Sequence, residues 1–121
     1  MEKSFSLFAN FKQTTPSEIT LDRVYRLITT DSDLCDRTEK FRFYLRVGNK
    51  QMSACEKTSC PAFTPAVRCE GGRKRVHIKA YTGLSLCDLD HIPEERMAEA
   101  FAAVCAAPHV LLAYHTISGR G

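Results

Sequence analysis

The hydrophobic pattern of the first sixty residues predicts one strand followed by helices. Residues 5–8 form a short apolar run that is typical of a strand. Apolar side chains then recur at helical spacing on one face, at Leu21, Val24, Tyr25 and Ile28. This helix begins either at the capping-box pattern of residues 15–18 or at Thr20. Similar reasoning predicts a second helix that runs to about Val47 and a short third helix at residues 50–57.

The second half of the chain predicts strands around a single helix. Apolar and polar residues alternate from Val76 to Ala80, which indicates a half-buried strand. Residues 84–90 and 110–114 are apolar runs that predict buried strands, and a helix starting near Pro93 separates them. This order predicts a βαβ-like unit with parallel strands. The expected fold class is α/β (α+β): an N-terminal strand and helices followed by a βαβ-like unit in a mixed sheet.

Composition narrows the class of protein. Of the 121 residues, 44% are hydrophobic and 26% are charged, which excludes a collagen, a low-complexity tail and a disordered acidic segment. The chain lacks the ~20 consecutive apolar residues of a membrane span and the apolar core of a signal peptide. A cytoplasmic protein without a membrane partner is therefore expected. The net charge of +3 is too small to indicate nucleic acid by itself.

No linker divides the chain, so residues 1–121 are expected to form a single domain. A glycine loop directly after a buried strand normally leads into another element. The sequence therefore predicts the N-terminal portion of a longer domain.

The six cysteines are interpreted mainly as free thiols. They are Cys35, Cys55, Cys60, Cys69, Cys87 and Cys105. No Cys-x-x-Cys pair occurs, and a reducing compartment keeps thiols unpaired. A cysteine-bound zinc site is the weaker alternative.

Asp88 and Asp90 are the first candidates for chemistry. On a strand, residues two positions apart share a face, with Cα atoms roughly 6.5 Å apart. Two carboxylates this close either bind a divalent cation such as Mg²⁺ or Mn²⁺, or merely cap the loop or the next helix. His91 follows directly and could be a metal ligand or a phosphate partner. More often, such a histidine supports the ligands from outside the ligand set or is simply exposed.

The final residues and one basic stretch are further candidates. In Ser118, Gly119, Arg120 and Gly121, the glycines allow main-chain N–H groups to approach a phosphate, while serine and arginine add donors. The alternative is a plain turn. The basic side chains could contact a nucleic-acid backbone or could be ordinary solvated charges. They are Arg68, Arg73, Lys74, Arg75 and Lys79.

Five segments in sequence order carry a likeness to a known family. They are residues 19–25 (ITLDRVY), 60–65 (CPAFTP), 81–84 (YTGL), 87–92 (CDLDHI) and 118–121 (SGRG). They resemble the VirE N-terminal domain family of Bacteroidetes mobile-element proteins, and the resemblance extends over nearly the whole chain. The wider similarity is to primase-polymerases of the archaeo-eukaryotic primase superfamily.

This resemblance implies roles for the candidate residues. Asp88 and Asp90 would be catalytic acids that hold Mg²⁺ or Mn²⁺. The side chain or main chain of Ser118, Gly119 and Arg120 would contact a nucleoside triphosphate. The implied activity is divalent-metal-dependent nucleotidyl transfer in the replication of a mobile element.

The resemblance also implies partners and a limit. Nucleic acid and a nucleoside triphosphate would bind the full-length form, and a helicase or a C-terminal domain would be a further partner. A histidine and a third acid used by the superfamily would lie beyond residue 121, so this chain alone is expected to be inactive. The alternative function is a non-catalytic module that binds nucleic acid or a helicase partner through the basic stretch.

Overall fold

A computed structural model describes residues 3–121 as a mixture of helices and short antiparallel strands. In chain order the elements are β1 (Ser4–Phe8), β2 (Ser17–Thr20), α1 (Leu21–Thr30), α2 (Ser32–Arg46), α3 (Lys50–Thr58), β3 (Ala62–Thr64), β4 (Val67–Cys69), β5 (Ile78–Tyr81) and α4 (Met97–Ala106). Single 3₁₀ turns, Arg75–His77 and Glu94–Arg96, precede β5 and α4. The α+β class is confirmed.

Strand β1 is the centre of the N-terminal sheet. It pairs antiparallel with β2, where Phe5 lies opposite Ile19, and antiparallel with β3, where Leu7 lies opposite Phe63. Its Phe5 and Phe8 side chains are fully buried. The predicted strand at residues 5–8 is therefore confirmed as the core strand of this sheet.

Local capping residues set the starts of the first three helices. The Thr20 hydroxyl accepts a hydrogen bond from the Arg23 N–H, so α1 begins after Thr20 and not at the capping-box pattern further upstream. The carboxylate of Asp31 and the side-chain oxygen of Asn49 cap α2 and α3 in the same way. The predicted second and third helices are confirmed.

The buried core lies where α1 packs on the N-terminal sheet. Phe5, Ile19 and Val24 form its centre. Leu84 and Leu112 pack against this centre from the second half of the chain. Burial of such side chains contributes roughly 1.5–3 kcal/mol each.

The expected βαβ-like unit is not formed, and both sheets of the described residues are antiparallel. Helix α4 is present, but residues 84–90 and 110–114 are not strands. Within residues 3–121, neither segment makes a backbone–backbone hydrogen bond. An apolar run becomes a strand only where a neighbour supplies the ladder, and these two segments flank an open cavity instead.

The alternating segment from Val76 to Ala80 forms a strand only in part. β5 starts at Ile78 and pairs antiparallel with β4, whereas Val76 lies in the preceding 3₁₀ turn and is exposed. The hydrogen bond from the His77 N–H to the Lys74 carbonyl closes that turn and delays the strand.

Candidate functional site

The acidic segment and the glycine turn lie against each other. The main-chain N–H of Ile92 donates to the carbonyl of Arg120 over 3.1 Å. A Cβ added to Gly121 would collide with the carbonyl oxygen of Leu89, so only glycine fits at this approach. The two regions that the sequence singled out, residues 88–90 and 118–121, are thus joined through main-chain atoms.

The two aspartates have different surroundings. Asp88 lines the apolar cavity described below, whereas Asp90 does not. The Asp90 carboxylate accepts the main-chain N–H of His91 over 2.8 Å and lies 3.6 Å from the His91 ring nitrogen Nδ1. Both the Asp90 and the His91 side chain are exposed. His91 has a φ of 58°, a left-handed conformation that turns the chain sharply after Asp90.

Tyr114, which the sequence did not indicate, interacts electrostatically with Asp88. Burial raises the pKa of Tyr114 above its usual 10.0, and the negative charge of Asp88 raises that pKa further. The Tyr114 ring also packs near Phe63, with ring centroids 6.4 Å apart. Tyr114 lines the same cavity as Asp88, so its protonated phenol is a hydrogen-bond donor in that cavity.

The turn itself is closed by hydrogen bonds. The Gly119 N–H donates to the Thr116 carbonyl and the Thr116 N–H donates to the Gly121 carbonyl, each over 2.9 Å. The hydroxyl groups of Thr116 and Ser118 are 3.2 Å apart. The Arg120 N–H also donates to the Ser118 hydroxyl, over 3.3 Å. The Ser118 hydroxyl therefore helps to hold the turn.

Arg42 is the second residue that sequence reasoning missed. It lies on α2, and its guanidinium group donates to the carbonyls of Ile117 and Thr116 over 2.9 and 3.3 Å. Its partners lie 75 and 74 positions away along the chain. Arg42 follows the buried Phe41, so the sequence could place it near the buried face of α2. No sequence pattern indicates that it contacts the carbonyls of Thr116 and Ile117.

An apolar cavity of about 580 Å³ borders the acidic segment. Most of its lining residues come from residues 83–92, from α4 and from residues 109–114, among them Leu84, Phe101, Val104, Leu112 and Tyr114. Leu86 and Leu111 are 63% and 68% exposed, so this region is only loosely covered.

The five residues of the basic stretch separate into two groups. Arg68 pairs with Glu70 and Glu18 over 2.7 and 3.4 Å. Arg73 donates to the Phe11 and Gln13 carbonyls, and its guanidinium lies 4.8 Å from the centre of the Phe8 ring. Lys74, Arg75 and Lys79 form the second group: they are exposed, and their side chains make no ion pair with another described residue.

The cysteines are free thiols in the structure. Cys60 and Cys69 are buried, and the other four, which include Cys87 and Cys105, are exposed. Burial raises the pKa of Cys60 above its usual 9.0, with Arg37 opposing that shift. Among residues 3–121, no three His, Cys, Asp or Glu side chains form a group that could hold a metal ion. In the same range, no helix combines the length and apolar character needed to cross a membrane.

Fold and site together define a small α+β domain in which an acidic segment abuts a glycine turn. A family model described as "BT4734-like, N-terminal domain" matches residues 55–121, which include both parts of the candidate site. The chain belongs to this family. A search of curated proteins and a search of solved structures each gave no match.

Proposed function

We propose that this chain is the N-terminal part of a primase-polymerase-like domain of the VirE N-terminal type. In an extended protein, it would carry out divalent-metal-dependent nucleotidyl transfer during replication of a mobile element. In that reaction, a hydroxyl group loses its proton to solvent and its oxygen bonds to the α-phosphorus of a nucleoside triphosphate, while the bond from that phosphorus to the pyrophosphate breaks and pyrophosphate leaves. The observation that supports the proposal is the contact between residues 88–92 and the turn at residues 118–121.

The turn is suited to hold phosphate groups. Gly119 has a φ of 74°, a conformation that glycine adopts at little cost. The Ser118 hydroxyl can donate a hydrogen bond, and Arg120 is exposed and makes no ion pair with another described residue. Charge-assisted donors of this kind bind phosphate oxygens strongly.

The acidic pair fits a magnesium or manganese ion that is bound together with its substrate. Mg²⁺ is commonly held by one or two carboxylates, with waters and substrate phosphates as the other ligands. Asp88 and Asp90 would supply two such carboxylates. A bound ion would neutralise charge on the phosphates.

The decisive experiment follows paramagnetic broadening by Mn²⁺ in the ¹H–¹⁵N NMR spectrum of the whole chain. We expect broadening centred on residues 88–92 and 118–121 that disappears in the Asp88→Asn/Asp90→Asn double variant. The matched control is Asp33→Asn/Asp36→Asn, which removes the same charge from exposed positions on α2. Equal Mn²⁺ binding by the double variant and the wild-type chain would refute the metal assignment.

A non-catalytic nucleic-acid-binding or helicase-binding module is the second candidate. It is favoured by the exposed positions of Lys74, Arg75 and Lys79, which have no acidic partner among the described residues. This function predicts binding to single-stranded DNA that weakens steeply with salt. Replacing these three residues by Gln should abolish that binding, whereas the double Asn variant of the aspartates should retain it.

A further inference from the structure

The turn that follows Tyr114 is held from one side by a single guanidinium group. Arg42 Nε donates to the Ile117 carbonyl over 2.9 Å, and Arg42 Nη2 donates to the Thr116 carbonyl over 3.3 Å. Gly119 also lies next to the guanidinium group, since a Cβ built on Gly119 would lie 3.6 Å from Arg42 Nε. The planar fork of arginine thus fixes two consecutive peptide groups at once.

Fixing these carbonyls also fixes the N–H groups of the same peptide units. In a planar trans peptide, the N–H points opposite to the C=O. The Thr116 carbonyl belongs to the peptide unit that carries the Ile117 N–H, and the Ile117 carbonyl to the unit that carries the Ser118 N–H. Both N–H groups therefore point away from Arg42.

These two N–H groups have no acceptor within the described part of the chain. Two consecutive unpaired N–H groups in a turn form a concave site that favours an anion. Arg42 is half-buried and makes no ion pair with a described carboxylate, so its charge is not neutralised locally. Its positive charge adds to the attraction of an anion for the turn.

We propose that the N–H groups of Ile117 and Ser118 bind a phosphate oxygen and that Arg42 is the positioning residue that orients them. The inference rests on the proposed function, because it names the groups that would hold the triphosphate. It does not require a metal ion at Asp88 and Asp90, so the two can be tested separately.

The test is titration of the whole chain with tripolyphosphate in the presence of a chelator, followed by ¹H–¹⁵N NMR. We expect the amide protons of Ile117 and Ser118 to shift to low field as they donate to the anion. Arg42→Gln should weaken the affinity about tenfold, and Arg42→Lys should restore part of it. Arg46→Gln is the matched control, because it removes the same charge from the exposed end of α2.

Three results would overturn the inference. The first is the absence of a shift at Ile117 and Ser118 in the wild-type chain, which decides the matter even if Arg42→Gln does not fold. The second is an equal loss of affinity in Arg42→Gln and Arg46→Gln, which would indicate long-range charge alone. The third is an Arg42→Lys variant no better than Arg42→Gln.

The proposed function and this inference fail in different ways. Mn²⁺ broadening without a tripolyphosphate shift would leave the metal site standing and refute the phosphate site. A tripolyphosphate shift without Mn²⁺ broadening would support the phosphate site and refute the metal site.

Discussion

Charged side chains of similar appearance in the sequence have different roles at the scale of single residues. Both Arg73 and Arg75 are exposed, but only Arg73 donates to two main-chain carbonyls and lies over the Phe8 ring. Both belong to one basic stretch, and nothing in the local sequence separates them. The difference arises from the loop after β1, which brings Phe11 and Gln13 to Arg73 across 62 and 60 positions.

Replacing Arg73 by Ala should therefore destabilise the fold. The variant loses hydrogen bonds to the Phe11 and Gln13 carbonyls and the contact with the Phe8 ring. We expect a decrease of about 1–2 kcal/mol in the free energy of unfolding, measured by urea denaturation. Arg75→Ala is the control and should change stability by less than about 0.5 kcal/mol. Equal stability of the two variants would contradict the structural role of Arg73.

The ionisation of Tyr114 reports on its distance from Asp88. Asp88→Asn removes a negative charge that raises the pKa of Tyr114, so this pKa should fall. Asp90→Asn is the control and should lower it less. A pH titration of ring-labelled tyrosine by NMR measures both. A larger effect of Asp90→Asn would show that Asp88 is not the nearer acid.

The same tyrosine should make stability depend on alkaline pH. Its pKa in the folded chain is raised above 10.0, so folding favours the neutral phenol. The resulting stabilisation is complete below pH 10 and is lost as the pH rises through the pKa of the folded state. Tyr114→Phe should have a flatter decline of unfolding free energy above pH 10 than the wild-type chain. Parallel declines would contradict this account.

At the scale of elements, the helices were predictable and some strands were not. A helix depends on its own sequence: Thr20, Asp31 and Asn49 cap helices through bonds to residues three positions later. A strand depends on a partner that the local sequence does not specify. Residues 84–90 have the apolar composition of a strand but form no backbone–backbone hydrogen bond with another described residue.

Ser6 links two elements that the sequence analysis did not connect. Its hydroxyl accepts the Cys69 N–H over 2.7 Å, joining β1 to β4, and the side chain is buried. Ser6→Ala should leave that N–H without a partner and lower the free energy of unfolding by about 1–3 kcal/mol. Ser17→Ala is the control, because it removes an exposed hydroxyl that donates to the Leu7 carbonyl. It should lower the free energy of unfolding by less. A stability of Ser6→Ala equal to that of the control would contradict the role of this hydrogen bond.

At the scale of the whole molecule, the two halves are packed to different degrees. The N-terminal sheet and α1 enclose the fully buried core, whereas α4 has no buried residue and borders an open cavity. Both parts of the candidate site lie in the second half of the chain, and Arg42 of α2 contacts the turn from the first half. Sequence patterns indicated Asp88, Asp90 and the terminal turn. They could not indicate Arg42 or Tyr114, whose roles arise only from tertiary contacts.

This difference should appear in amide hydrogen exchange. Main-chain amides of residues 85–90 and 109–114 have no backbone acceptor among the described residues and should exchange orders of magnitude faster than those of β1. Mass spectrometry of peptic fragments gives the comparison. Strong protection of both segments in the free chain would contradict the open arrangement.

The main-chain bond between Ile92 and Arg120 has a consequence for mutational tolerance. This hydrogen bond uses only the carbonyl of residue 120. The side chain at that position can therefore be replaced without separating the turn from the acidic segment. Position 121 lacks this freedom, since any larger residue meets Leu89. The side chain at position 120 can therefore vary on an unchanged backbone frame.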